Sequence, residues 1–180
     1  YVLVAVGTVL IFTVTRVIFI PQGEFVAWGA LTLAGLQAGQ LPGTVWLLAM
    51  GGCAVMLVEL WTAWRRQDWR AIPRAAGWNL LYPALIFAAA RFVDFQQMPL
   101  IAQILFALLV VVPIGPMVWR LAFQPVAESS VLVLLIVSVA VHVAMVGLGL
   151  LFFGAEGART SPFTDGGIEL GGIPVSAQTL

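Results

Sequence analysis

Thr13-Val-Thr-Arg-Val-Ile-Phe-Ile-Pro-Gln-Gly-Glu-Phe-Val-Ala-Trp-Gly29 is the stretch on which the fold turns. It sets two opposite charges, Arg16 and Glu24, on either side of Pro21-Gln22-Gly23 in an almost wholly apolar surround. Pro21 removes a backbone donor and Gly23 loosens the chain, so a helix arriving from Tyr1 is expected to break here. A second helix then starts with Glu24 in its first turn, where the positive end of the helix dipole favours a carboxylate. Phe25 to Gly39 is only just long enough to cross a bilayer, which takes roughly 17–25 residues. A short hydrophobic segment interrupted by Pro and Gly, with ionisable groups beside it, points to a transport pathway. Arg16, Gln22, Gly23 and Glu24 are therefore candidate pathway residues. The plainer alternative is a tight turn at the membrane face, from which Arg16 and Glu24 reach to water.

Working outward, the whole chain has the composition of a membrane protein. Of its 180 residues 62% are hydrophobic and only 9% charged, where soluble domains carry about 25% charged residues. The formal net charge is zero and there is no basic block able to hold nucleic acid. One cysteine, Cys53, excludes an internal disulfide and a multi-thiolate metal site. It lies in Met50-Gly-Gly-Cys-Ala54, a small-residue stretch suited to close approach of another helix. The chain opens apolar at Tyr1 without the charged region and cleavage site of a signal peptide, and further residues upstream are expected.

Six apolar stretches read as spans, making an all-α polytopic membrane protein with a bundle over residues 1–153. They are Tyr1 to Ile20, Phe25 to Gly39, Thr44 to Trp64, Trp78 to about Phe95, Leu100 to Trp119 and Val131 to Phe153. Pro113-Ile-Gly-Pro116 should kink the fifth or end it early. Arginines collect in Arg65-Arg-Gln-Asp-Trp-Arg-Ala-Ile-Pro-Arg74 and at Arg120, which puts those loops on the cytoplasmic side and both ends of the chain outside. Arg91 is the exception, and Asp94 three residues on is its expected helical neighbour. Residues 154–180 read as an extracytoplasmic loop. In it, Thr164 to Val175 suggests a small β-hairpin about Gly171-Gly172, and Ser176 an N-cap for a helix beginning with Ala177-Gln-Thr-Leu180.

The polar residues inside the spans are few. His142 stands midway along the sixth span, with Ser138 four residues earlier on the same face. A buried histidine there can relay protons or bind a solute, or simply hydrogen-bond a neighbouring helix. Glu59 is expected to pair with Arg65 and Arg66. Gln103 and Asn79 read as helix-packing amides. A nucleophile–base pair, a metal cluster and a phosphate loop are all missing from the sequence, so an enzyme is not expected. A membrane scaffold or accessory subunit without a pathway of its own is compatible with this polar content.

Several motifs resemble the permease subunits of branched-chain amino acid (LIV-type) ABC importers. Tyr1-Val-Leu-Val-Ala-Val-Gly7 resembles that family's opening "Y-A-L-x-A-x-G" helix, and Pro21-Gln-Gly-Glu24 with Gly29 its "F-A-H-G-E … G". Phe123-Gln-Pro-Val126 resembles its "Y-R-P-L" loop, Gly154 follows span six as its "W-G" does, and Gly172-Ile-Pro-Val-Ser-Ala-Gln178 is similar to its outer hairpin. The order covers most of the chain outside residues 65–116, which read as an inserted two-span hairpin that preserves the orientation of the later spans. Gln22 and Gln124 stand where the family has His and Arg, and the family's second half, with the helix that docks on the ATPase, is absent from this chain. The resemblance implies the N-terminal half of a permease in a bacterial cytoplasmic (inner) membrane, working by alternating access on branched-chain amino acids or a related small polar solute. It implies a second permease subunit, two cytoplasmic ATPase subunits that hold the ATP, and an extracytoplasmic substrate-binding protein. No cofactor is expected on this chain itself, and Gln124 and Pro125 would face the ATPase side.

Overall fold

The structure is a computed structural model that describes residues 2–15, 18–67, 69, 72–154, 167–170 and 173–176. The helices are α1 (Val2–Thr15), α2 (Gln22–Gln37), α3 (Gly43–Arg66), α4 (Ile72–Ala76), α5 (Tyr82–Phe92), α6 (Leu100–Val111), α7 (Ile114–Val118) and α8 (Val131–Phe153). A π-helical turn, Gly77–Leu81, welds α4 to α5. Another, Trp119–Phe123, with the 3-10 turn Gln124–Val126, carries α7 onward, so Leu100–Val126 is one long helix bent at Val112 and Pro113. Among the described residues this gives six helical rods.

Three of the rods are long and apolar enough to cross a membrane: Gly43–Arg66, Leu100–Val126 and Val131–Phe153. The chain is a multi-pass membrane protein on that ground. The other three rods do not keep the bounds read from sequence. Helix α1 is described over Val2–Thr15 and backbone 18–20 is non-helical, so the first helix does not reach Ile20; α2 is 16 residues, about 24 Å at 1.5 Å per residue. The rod over residues 72–92 begins earlier than Trp78 and ends before Phe95, because Asp94 takes an extended backbone and accepts from the Gln96 N–H. The prolines of 113–116 bend their helix without ending it, since a proline in the first turn after a bend withdraws only a donor that is already free.

Helix α3 is the centre of the bundle, touching α5 and its π-turn, α6, α7, α8 and α2. The small-residue stretch explains the closest of these approaches. A Cβ on Gly52 would collide with the backbone carbonyl of Asn79 and with Pro83, so only glycine lets the π-turn lie against α3. Across the α2–α3 turn, Thr32 Oγ1 donates to the Trp28 carbonyl, which leaves Thr44 as the donor in the 2.6 Å bond between the two hydroxyls. Both threonines are fully buried. Gly39, at φ 69°, ends α2 with N–H bonds from Gly39 to Leu36 and from Gln40 to Gly35, a Schellman motif.

Polar contacts group the loops at two ends. Gln96 reaches the Gln37 carbonyl and Gly43 lies against Phe152, so the turn 38–42, the loop 93–99 and the end of α8 share one end. Arg65, Arg66, Arg120 and Gln124 share the other, joined by an ion pair of 2.7 Å between Arg120 Nη2 and Glu59 Oε1. That pair replaces the expected partnership of Glu59 with Arg65 and Arg66. Glu59 faces the Trp119–Phe123 turn, while Arg65 lies over the Trp61 ring, 5.2 Å from its centroid. Asp94 likewise turns from Arg91 to its own loop, accepting from Gln96 N–H and Gln97 Nε2. In the tail, β1 (Gly167–Leu170) pairs antiparallel with β2 (Ile173–Ser176), with Gly167 opposite Ser176 and Leu170 opposite Ile173. Ser176 is thus the last residue of a strand, and the helix it was expected to cap lies outside the described residues.

Candidate functional site

The interruption between the first two helices is present but begins earlier than expected. Backbone from Ile18 to Pro21 is non-helical, and α2 already starts at Gln22. Proline explains the position: standing just before the first turn, Pro21 withdraws a donor that no helix would have used. Gly23 supplies no special conformation, and open space surrounds it. Arg16, the positive member of the expected charge pair, lies outside the described residues.

The broken segment packs on protein through Phe19 and Pro21, while the Ile18 and Ile20 side chains are exposed. Pro21 is fully buried, and Phe19 packs on Phe123 and Phe25 with ring centroids 5.7 and 6.0 Å apart. The Ile20 N–H, which has no helical partner, donates to Ser138 Oγ of α8 at 2.9 Å. Ser138 is completely buried and sits seven residues beyond Val131, about 10 Å into α8. Irregular backbone at such a depth is tolerated only where protein or a water-filled cavity satisfies it. Ser138 does that for Ile20.

One helical turn further along α8 stands His142, eleven residues from Val131 and eleven from Phe153. It is the midpoint of the longest uninterrupted apolar rod after α3. Its Nδ1 lies 2.7 Å from Glu24 Oε1. Nδ1 has no hydrogen-bond partner of acceptable geometry among the described residues. Glu24 is the more enclosed partner, with 17% of its side chain exposed against 37% for His142. It also lies in the first turn of α2, where the helix dipole favours its negative form.

Gln22 belongs to a different contact. Its Nε2 donates to the Val4 carbonyl at 2.6 Å and its Oε1 accepts from Thr8 at 2.7 Å, so it ties α2 to α1. The structure therefore brings Glu24, Ser138 and His142 together, directs Gln22 to α1, and leaves Gly23 exposed. Gln124 and Pro125 are exposed in the 3-10 turn at the arginine-bearing end, and among the described residues no hydrogen bond or ion pair joins them to Glu24, Ser138 or His142.

A groove of about 320 Å³ runs between α2 and α8 from Glu24 to Gly154, with Trp28, Leu31, Met145, Gly149 and Phe153 among its walls. Its inner end is thus a carboxylate at the middle of α8, and its outer end is the end of the bundle opposite the arginines. Trp28 and Met145 are buried and form its floor. Gly149 leaves room for Trp28 there, a Cβ standing 3.2 Å from Trp28 Nε1. These residues were not singled out from sequence, yet their spacing was available. Glu24, Trp28 and Leu31 fall at i, i+4 and i+7, and His142, Met145 and Gly149 at i, i+3 and i+7, each along one helix face. Comparisons with protein-family models, with curated proteins and with solved structures give no match.

Proposed function

We propose that the chain is a permease subunit, or the N-terminal half of one, in an ABC importer of the bacterial cytoplasmic membrane. The cargo is a branched-chain amino acid or a related small polar solute, and the pathway follows the α2–α8 groove down to Glu24. The observation that carries this reading is the Glu24–His142 contact at the midpoint of α8, beside a helix break braced by Ser138. Ionisable side chains inside a membrane bundle are expensive to maintain and are characteristically found on solute or ion paths. Half-length helices whose N-termini end near the midplane are a recurrent way of building such a site. The ordered motif resemblance from Tyr1-Val-Leu-Val-Ala-Val-Gly7 to Gly172-Ile-Pro-Val-Ser-Ala-Gln178 supplies the importer class.

In this reading all six rods cross the bilayer, with the arginine-rich loops cytoplasmic and the β-hairpin outside. Partner ATPases and a second permease subunit bias an inward-open and an outward-open arrangement of the same helices. Glu24, in contact with His142, offers the solute a carboxylate, and Trp28 and Met145 offer an apolar floor.

The test is uptake of labelled leucine and urea by cells producing the chain with its partner subunits. Glu24→Ala is expected to lower uptake about tenfold, the effect of roughly 1.4 kcal/mol, with unchanged membrane level and subunit co-purification. Normal uptake by a well-assembled Glu24→Ala protein overturns the pathway. Failure of a different membrane complex to assemble when the chain is deleted, with uptake intact, would favour the scaffold reading.

A further inference from the structure

At the arginine-bearing end, α3, α4 and the Trp119–Phe123 turn enclose a hollow of about 150 Å³. Glu59, Thr62, Arg66, Ile72, Ala75 and Arg120 line it. The one carboxylate among its described lining residues, Glu59, is matched by Arg120. That leaves the hollow with the unmatched positive charge of Arg66, which has no ion pair or hydrogen bond among the described residues. Thr62 gives its proton to the Val58 carbonyl, so it adds no donor. A ligand here is selected by guanidinium groups, whose planar forks suit phosphate oxygens.

The surroundings define the ligand further. Trp61, Trp64, Trp69, Trp78 and Trp119 are all exposed about this end of the bundle, and an exposed aromatic belt marks the level of lipid headgroups. Arg65 and Arg74 are exposed there as well. Exposed Leu60 and Trp64 stand on α3 next to the hollow, an apolar surface against which acyl chains can lie. We infer that this hollow binds the headgroup of an anionic phospholipid, its phosphate between Arg66 and Arg120. Basic pockets between membrane helices take anionic headgroups in this way. The site is independent of the transport reading and lies at the opposite side of the bundle from the mouth of the groove.

Native mass spectrometry of the purified chain, released from detergent after addition of phosphatidylglycerol or phosphatidylcholine, reads the site directly. The expected result is preferential retention of one phosphatidylglycerol, lowered about fivefold by Arg66→Gln, the effect of one basic group at an anionic surface. Arg65→Gln, which alters a residue turned onto Trp61, is expected to leave that retention unchanged and controls for loss of fold. Equal retention of the two lipids, or equal effects of the two substitutions, overturns the proposal. So does displacement of the lipid preference by millimolar inorganic phosphate, which would make the hollow a site for free anions.

Discussion

Ser138 illustrates how one hydroxyl can hold a membrane backbone in an irregular path. Its partner is the Ile20 N–H, whose other acceptor is the nearby Ile18 carbonyl at 3.2 Å. Ser138→Ala removes the better of the two acceptors from a part-buried donor and is expected to destabilise the protein by about 0.5–1.5 kcal/mol, measured as a shift in unfolding with denaturing detergent. Ser138→Thr keeps the acceptor and should recover most of the loss. The Thr32–Thr44 bond is expected to be weaker than its 2.6 Å suggests. A double-mutant cycle with valine at both positions should give about 0.6 kcal/mol, because side chains in lipid find other partners when released. Glu59 could not have been assigned its partner from sequence: Arg65 and Arg66 are near in the chain, but the geometry of the α3 face gives it Arg120.

Among the elements, α3 and the rod over residues 72–92 show the tightest dependence on a single residue. Gly52→Ala drives a methyl into the Asn79 carbonyl and Pro83. Since that obstacle is backbone rather than the end of a flexible side chain, a loss of about 1–3 kcal/mol is expected, again read in detergent unfolding. Gly51→Ala is the informative control, as it meets only the Met117 side chain at 3.2 Å and should cost less. The small-residue stretch announced close approach by composition. Which of its glycines would be used depended on the π-turn at Gly77–Leu81, whose extra residue swings Asn79 toward α3. Helix α8 was legible to the residue, Val131 to Phe153, because Ser130 and Gly154 bound one uninterrupted apolar run. Helix α2 was not, because Pro21 can stand either inside a break or just before a helix.

For the whole molecule, the decisive prediction is topological. In a Cys53→Ala background, Gln124→Cys and Gln96→Cys lie at opposite ends of the bundle, and both positions are exposed. A membrane-impermeant maleimide added to intact cells should label Gln96→Cys, and Gln124→Cys only after the membrane is opened. Labelling of Gln124→Cys from outside alone reverses the orientation and removes the proposed ATPase-facing role of Gln124 and Pro125. The two-end grouping of loops itself rests on Gln96 with Gln37 and Arg120 with Glu59. It agrees with the alternation of spans read from the chain.

Composition and hydropathy alone made this a membrane protein, located its long apolar rods and marked the interruption ahead of Glu24, since each is a local property of the chain. Packing alone decided that His142 meets Glu24, that Ser138 serves a backbone amide 118 residues away, and that Arg120 rather than Arg65 neutralises Glu59. The physical reason is that lipid tails and helix interiors are equally apolar. In such a solvent a helix face turned to protein and one turned to lipid carry the same residues, and only the third dimension tells them apart.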